Sequence, residues 1–350
     1  MNAIDDVDEI RSWLAPQQRL MTMLQASLVT QLLAVAAELG IADLVADGPR
    51  EVGELAAATA TDAASLYRVL RALASVDVFR EVDGQRFAAT ELSDALRTDA
   101  PGSIRNWARL WGLPERGRAI SELLVGVRSG RPAFEQIHGT DWWSHLSAHP
   151  EQAALFNSAM GDLARQIHAA AVATCDLSGV RRLIDVGGGH GHLAATILRR
   201  YPEMTAVVYD RPHVIADAPA VVAAAGVADR IELIGGDFFA SVPPGGDAYL
   251  LSMILHDWDD ARAHRILTAI RAAIPATGRL LVIDAVLPEH NCEHDGILRD
   301  IIMLALHPGR ERTLAEFSAL LRRAGFQHTH TSALAASTGL LVAIPCETRG

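Results

Sequence analysis

Two hydrophobic rhythms divide this chain. From Val180 onward, short and nearly continuous apolar runs alternate with helical patterns: "RLIDVGGG", "AVVYD", "IELIGG", "AYLLSMIL", "RLLVIDAVL" and, near the end, "GLLVAIP". Such strands, separated by helices, predict a parallel sheet covered on both faces. Before Val180 the spacing is helical. Residues 15–48 predict one or two helices that are apolar on most sides, more than one solvent-facing stripe needs. A short helix is expected over 51–58. A second starts at Thr61-Asp62, an N-cap pair, and runs through "AASLYRVLRALASVDVF". "FREVDGQRFAAT" then alternates about Asp83-Gly84, a hairpin turn. Helix, turn, helix and hairpin outline a winged helix. Residues 101–175 read as mostly helical, with "RSGRPAFEQIHGTDWW" as a loop-rich interruption. The expected division is 1–100, 101–178 and 179–350.

Composition narrows the partners. The 350 residues carry a net charge of −11, which disfavours broad attraction to phosphate backbones or anionic membranes. Residues 51–95 hold eight acids against four arginines, and the recognition-helix position offers only Arg68 and Arg71. The winged-helix outline therefore predicts a structural or dimer-forming module rather than a DNA reader. Cys175, Cys292 and Cys346 are widely spaced, without a C-x-x-C pair, so no disulfide framework or structural zinc site is expected. The acidic start "MNAIDDVDEI" does not resemble a signal peptide. Leu20 to Ala37 lacks charge but contains Thr22, Gln25, Ser27, Thr30 and Gln31, which predicts a buried or interface helix rather than a membrane span. A cytoplasmic protein is expected.

The first strand of the second half ends in Asp185-Val186-Gly187-Gly188-Gly189-His190-Gly191-His192. Glycines at a strand-to-helix turn let backbone approach a ligand closely. The dinucleotide pattern G-x-G-x-x-G fails from Gly187, where the sixth place is His192. D-x-G-x-G-x-G does match. An acid beside the loop would repel a pyrophosphate and suits a ligand with an amino group and a positive sulfur, S-adenosylmethionine. Asp210 ends the second strand, where a carboxylate would accept ribose hydroxyls. Asp237, in "GGDFF", could receive the adenine amino group, with Phe238 beside the ring. His190 and His192 read as incidental loop residues.

"LLSMILHDWDD" (250–260) poses the remaining question. His256 follows the expected fourth strand, beside the first, and so shares the rim with the glycine loop. It could be a structural histidine, a metal ligand with Asp260 and His264, or a base. The metal spacing needs one helix face, yet His256 should precede that helix. Methyl transfer from a sulfonium needs alignment and a deprotonated acceptor. A phenol of pKa about 10 requires a proton acceptor, and imidazole near 6.5 suits the task. Asp284, at the end of the next strand, is placed to orient it. The base reading is preferred.

Together these motifs resemble the S-adenosylmethionine-dependent small-molecule O-methyltransferases of the plant caffeate type and their bacterial natural-product relatives. "FNSAM" (156–160), "DVGGGHG", "GGDFF", "LHDWDD", "IDAVLPE" and "MLALHPGRERTLAEFSALLRRAGF" (303–326) carry the likeness across nearly the whole chain. The resemblance implies a Rossmann-like class I methyltransferase domain behind a mostly helical, winged-helix-like dimerisation domain, with 101–178 contributing to the substrate pocket. It implies His256 as general base flanked by Asp284 and Glu311. Asp185, Gly187, Gly189, Asp210, Asp237, Phe238 and Trp258 would contact the cofactor. Ser252 stands where plant members often carry a lysine. Phe156, Asn157, Met160 and Met303 would line the pocket of a flat aromatic acceptor, and His307, in a segment one residue shorter than the plant form, would face it. A metal-independent homodimer methylating a phenolic or acidic hydroxyl is the expectation. N-methylation, a non-methylating reaction on the same fold and a cofactor-sensing regulator are the alternatives.

Overall fold

The computed structural model describes residues 7–346 except Asn291, Glu293 and Ala336. It packs as two compact units, Met1–Gly117 with Pro150–Asp162, and Arg118–His149 with Leu163–Gly350.

In the first unit the long helix Val7–Glu38 ends at Gly40, whose φ of 64° reverses the chain into the helix Ile41–Leu44. Strand β1 (Arg50–Glu51) leads into the helix Val52–Thr59. Asp62 then caps the helix Ala63–Ala74 by accepting from the Ser65 amide at 2.8 Å. Leu66, Leu70 and Leu73, at i, i+4 and i+7, meet Ile41, Leu55, Phe79 and Phe87 in one core. The helix stops at Ala74, earlier than its apolar run suggests, because Val78 and Phe79 turn inward as loop residues. Strands β2 (Arg80–Val82) and β3 (Arg86–Ala88) form the expected hairpin, with Gly84 and Gln85 at positive φ, and β1 adds to it in the antiparallel order β1-β3-β2. Along the long helix Leu20, Met21, Met23, Leu24 and Leu28 are each more than half exposed. This segment is therefore not a buried helix of its own chain. Ala15–Glu38 is long and apolar enough to cross a membrane by length and composition alone.

The second unit is built on one sheet of β4 (Arg182–Val186), β5 (Thr205–Asp210), β6 (Ile231–Gly235), β7 (Ala248–Ser252), β8 (Arg279–Leu287), β9 (Arg312–Thr313), β10 (Phe326–Ala333) and β11 (Thr338–Pro345). The order is β10-β11-β8-β7-β4-β5-β6, with β9 beside the end of β8. Strands β4, β5, β6, β7 and β8 are parallel, as their apolar runs require, whereas β11 runs antiparallel to β8 and β10 to β11. The sheet is thus mixed, because a connection of only a few residues joins β10 to β11 and leaves no room for a crossover. Strand β10, "FQHTHTSA", escapes the hydrophobic pattern since it is an edge strand and mostly solvated. Side chains alternate between two cores: Ile184, Val207, Tyr249 and Val282 pack on one face, Leu183, Val208, Leu250 and Leu281 on the other. The loop-rich segment also contains more order than expected, with a helix Ala133–His138 whose buried Phe134 meets buried Trp142 edge-on at 5.1 Å.

Register sets the rim. Asp185 pairs with Leu250, and Ser252, the last residue of β7, pairs with Ile283, so Asp284 is the first residue of β8 beyond that ladder. The carboxyl ends of parallel strands are where ligands of such sheets bind.

Candidate active site

After β4 the chain makes its turn on glycines. Gly187, Gly189 and Gly191 have φ of 74°, 57° and 85°, a region open to glycine at little cost. A Cβ on Gly187 would lie 2.5 Å from Ile254 Cδ1 and 3.6 Å from Phe238 Cε1, so this loop packs directly on the two loops that carry the other candidate residues. A Cβ on Gly189 would meet nothing within 4 Å; that side faces open space. Gly191 then caps the helix His192–Arg200. Asp210 holds the loop from β5: one carboxylate oxygen accepts from the Gly189 amide at 2.8 Å and the other from the Arg211 amide at 2.7 Å. Asp185 is only 1% exposed, and its Oδ2 accepts no hydrogen bond among the described residues. Burial, with a smaller contribution from Asp210, pushes its carboxyl up to about 7. A buried carboxylate lacking donors fits a ligand that brings an amino group or a positive charge.

Asp237 is exposed, with Oδ1 accepting from the Phe239 amide at 2.9 Å. Phe238, Phe239 and Trp258 form an edge-on aromatic cluster, with Phe239 and Trp258 centroids 4.8 Å apart and Phe238 and Trp258 6.2 Å apart. A flat base could sit against such rings. Ser252 lies half-buried at the end of β7, two residues before Ile254.

The chain then turns sharply. Met253 adopts a φ of 57°, and its amide donates to Ile283 O at 2.7 Å. A 3-10 turn, Leu255–Asp257, follows before the helix Asp260–Ala273. His256 therefore precedes that helix and does not share a face with Asp260 and His264, which separates the metal spacing considered from sequence. Asp260 instead pairs with Arg310 and Arg312, and His264 Nε2 lies 3.2 Å from Arg323 O.

His256 is 6% exposed and surrounded by acids. Its Nδ1 lies 3.0 Å from Glu311 Oε1 and 3.7 Å from Asp284 Oδ1; its Nε2 lies 3.6 Å from Asp257 Oδ1, and its own amide donates to Asp284 Oδ2 at 3.3 Å. Burial opposes the imidazolium, but Asp284, Glu311 and Asp257 outweigh it and push His256 up to about 10. Burial likewise pushes Asp284 up to about 7 and Asp257 up to about 6. These groups titrate as a cluster that shares protons. The donor atoms of His256, Asp284 and Glu311 lie within 4.8 Å of one another, a set able to hold a divalent cation as well as a proton.

Sequence reasoning missed what fastens this turn. Gly309 packs its backbone on the turn so closely that a Cβ would come within 1.9 Å of His256 O and 2.5 Å of the Trp258 amide. Arg312, fully buried, donates to Leu255 O at 2.9 Å, Trp258 O at 2.8 Å and the Asp260 carboxylate at 2.8 Å. The Glu311 amide, in turn, donates to Asp300 Oδ1 at 2.8 Å. Residues 309–312 thus form a strap across the histidine turn. Its signal, "PGRER", was visible, but a glycine and two arginines in a loop do not declare what they grip. Asp257 was not singled out, because one acid among three in "HDWDD" carries no local sign of which one meets the histidine.

Met303, 6% exposed, lies on the helix Asp295–Leu306, and His307, 5% exposed, follows it with its ring 5.1 Å from that of Trp143. Phe156, Asn157 and Met160 lie in the first unit on the helix Pro150–Thr174, Asn157 exposed and the other two half-buried.

Residues 120–327 match the model of the O-methyltransferase domain, and residues 21–99 that of the O-methyltransferase dimerisation domain. The chain is 44% identical over 307 residues to a phenazine O-methyltransferase of Lysobacter antibioticus, covering 88% of this chain and 90% of that protein. It is 37% identical over 302 residues to an 8-amino-8-demethylriboflavin N,N-dimethyltransferase of Streptomyces davaonensis, covering 85% and 86%. Among solved structures, a methyltransferase of calicheamicin biosynthesis in its S-adenosylhomocysteine-bound form aligns with TM-score 0.83 at 36% identity over 97% of this chain and 100% of that one. An O-methyltransferase of neocarzinostatin biosynthesis, in complex with S-adenosylmethionine and 2-hydroxy-5-methyl naphthoic acid, aligns with TM-score 0.80 at 30% identity over 91% and 96%. With the glycine loop, the rim acids and these likenesses in agreement, the chain belongs to the O-methyltransferase family and is an S-adenosylmethionine-dependent methyltransferase of the natural-product type.

Proposed function

We propose that this enzyme methylates a phenolic or otherwise acidic hydroxyl on a small aromatic natural-product molecule, as a homodimer in the cytoplasm, with His256 as the base and no metal. One observation carries the reading: the Nδ1 of a buried histidine lies 3.0 Å from Glu311 and 3.7 Å from Asp284, with Asp257 3.6 Å from Nε2.

S-adenosylmethionine, when bound, supplies an electrophilic methyl group on a positive sulfur. Asp185, Gly187, Gly189, Asp210, Asp237, Phe238, Ser252 and Trp258 are the residues assigned to hold it. Asp185 would offer its unpartnered oxygen to positive charge, and Asp210 and Asp237 would accept from hydroxyl and amino groups. Glu311 keeps the Nδ1 proton on the imidazole, which leaves the Nε2 lone pair for the acceptor hydroxyl. The proton passes from that hydroxyl to Nε2, and the resulting imidazolium is stabilised by Asp284, Glu311 and Asp257. The three acids raise the imidazole's affinity for a proton well above the ordinary value, which suits it, once neutral, to take one from a weakly acidic hydroxyl. Met303 and His307 are assigned to the acceptor, as are Phe156, Asn157 and Met160.

The N,N-dimethyltransferase among the relatives makes a nitrogen acceptor the second reading. It needs the base less, since a neutral arylamine is already nucleophilic. Incubation with S-adenosylmethionine and a phenol panel in the presence of EDTA, read by mass spectrometry, tests the proposal. A gain of one methyl that is lost in His256→Ala supports it. Product only from amines, with His256→Ala fully active, or product abolished by EDTA, overturns it.

A further inference from the structure

Glu311 meets the histidine with little else to steer its carboxylate. Its Oε1 lies 3.0 Å from His256 Nδ1, while its Oε2 is buried and accepts no hydrogen bond among the described residues. The carboxylate is therefore aimed by where the backbone is held rather than by a second side-chain donor. Strand β9 starts only at Arg312, which pairs with Val286 of β8, so the Glu311 amide lies outside that ladder. It donates instead to Asp300 Oδ1 at 2.8 Å.

Asp300 is half-buried on the helix Asp295–Leu306, with Met303 about one turn further on and on the same face. Its charged neighbours are Glu311, Arg310 and Glu316. Burial pushes its carboxyl up, the Glu311 amide draws it down, the two glutamates add to the rise and Arg310 opposes it. A third acid beside two others is costly. An asparagine would accept from the same amide without that cost. What the carboxylate adds is a charge-assisted hydrogen bond, shorter and stronger than a neutral one. The charges that act on His256 are Asp284, Glu311 and Asp257. Asp300 is not among them, so any influence it has on the ring must pass through Glu311.

We infer that Asp300 is a positioning residue: it fixes the Glu311 backbone and thereby the carboxylate that orients His256. The inference rests on the reading of His256 as the base. It also ties that base to the helix bearing Met303 and leading into His307, both assigned to the acceptor. One helix then sets the acceptor's wall and the base's partner together.

The test compares wild type, Asp300→Ala and Asp300→Asn across pH at saturating S-adenosylmethionine, with the phenol of the panel that wild type methylates fastest. Asp300→Ala should lower kcat by about tenfold with KM for the phenol within about twofold. Its rising limb of kcat against pH should move to lower pH, because a loosened Glu311 supports the imidazolium less. Asp300→Asn loses the charge but keeps the acceptor oxygen, and should hold kcat within about threefold of wild type with the limb little moved. S-adenosylhomocysteine should bind all three within about twofold by calorimetry. An unmoved limb in Asp300→Ala, or a rise in KM without loss of kcat, overturns the inference. Equal limb shifts in the two variants do so as well, since they would assign the effect to charge. Weakened S-adenosylhomocysteine binding or failure to fold in Asp300→Ala would make Asp300 structural and overturn it too. The reading beneath it fails separately, through His256→Ala as active as wild type or a wild type that methylates no phenol.

Discussion

Glu311 Oε1 lies 3.0 Å from His256 Nδ1 across 55 residues of chain, while Asp284, on the strand next to the one that precedes the histidine turn, stands farther off at 3.7 Å. On the proposed reading Glu311 selects the tautomer, and Asp284 acts mainly through its charge and through its bond to the His256 amide. If His256 is the proposed base, His256→Ala should lower kcat by roughly 10² to 10⁴, with S-adenosylhomocysteine affinity within about twofold of wild type by calorimetry. Glu311→Gln should lower kcat more than it raises KM for the acceptor. The reverse split would assign Glu311 to substrate binding.

The pH profile follows from the same cluster. With His256 pushed up to about 10, the neutral imidazole grows as pH rises, so kcat should climb through a limb lying well above the ordinary 6.5. Removing a carboxylate removes a reason for the charged form, so Glu311→Gln and Asp284→Asn should move the limb to lower pH. A limb at 6.5 in wild type, unmoved by either variant, would show that the acids do not act on His256.

Stability should depend on pH in a matching direction. His256 holds its proton more tightly folded than unfolded, a contribution complete below about 6.5 and lost as pH rises through about 10. Asp284 and Asp257, pushed up to about 7 and about 6, also bind protons more tightly when folded, and this too is lost as pH rises. The cluster thus favours the folded state at lower pH. Between pH 6 and 9 the melting midpoint should fall in wild type and fall less in Asp284→Asn, measured at constant ionic strength.

The strap predicts that the histidine turn can be disturbed without touching the reacting groups. In Gly309→Ala the new Cβ would collide with His256 O and the Trp258 amide, both backbone atoms that cannot swing aside. Arg312→Met would release Leu255 O, Trp258 O and Asp260 together. Both should cost about tenfold or more in kcat, equivalent to about 1.4 kcal/mol in the barrier. Arg312→Lys, which keeps the charge but not the fork, should recover only part of it. A loss confined to thermal stability, with kcat unchanged at low temperature, would make the strap structural.

At the cofactor end, Asp210→Ala should weaken S-adenosylhomocysteine by about tenfold or more, about 1.4 kcal/mol. Asp210 also braces the Gly189 amide, so Asp210→Asn, which keeps an acceptor there, separates the loop's shape from the carboxylate's charge. Affinity restored by asparagine would assign the loss to the loop.

The exposed apolar residues of the long helix call for a partner surface. Leu24 and Leu28, 69% and 63% exposed, lie one turn apart inside the region matching the dimerisation domain. Leu24→Glu combined with Leu28→Glu should halve the mass measured by light scattering. An unchanged mass would place the subunit contact elsewhere.

Much of this was legible in the chain itself. Alternation of side chains across β4, β5, β7 and β8 follows from a period of two, and the apolar runs that both faces need are local. Asp185, Asp210 and Asp284 could be placed at the rim because each follows such a run, and the Asp62 cap and Asp83-Gly84 turn depend on nearest neighbours. The reversal of β11 and the edge strand β10 were not legible, since strand direction depends on connections and an edge strand is half solvated. Nor was the ordering of the acids about His256. The 3.0 Å contact with Glu311, the Asp257 carboxylate beside Nε2, the grip of Arg312 and the close fit of Gly309 all join segments roughly fifty residues apart, or depend on a turn whose shape Met253 sets at positive φ. Local propensity and periodicity act over a few residues and the sequence alone determines them. Distances between charges brought together by the sheet exist only once the chain has packed, and it is those distances that decide where the proton sits.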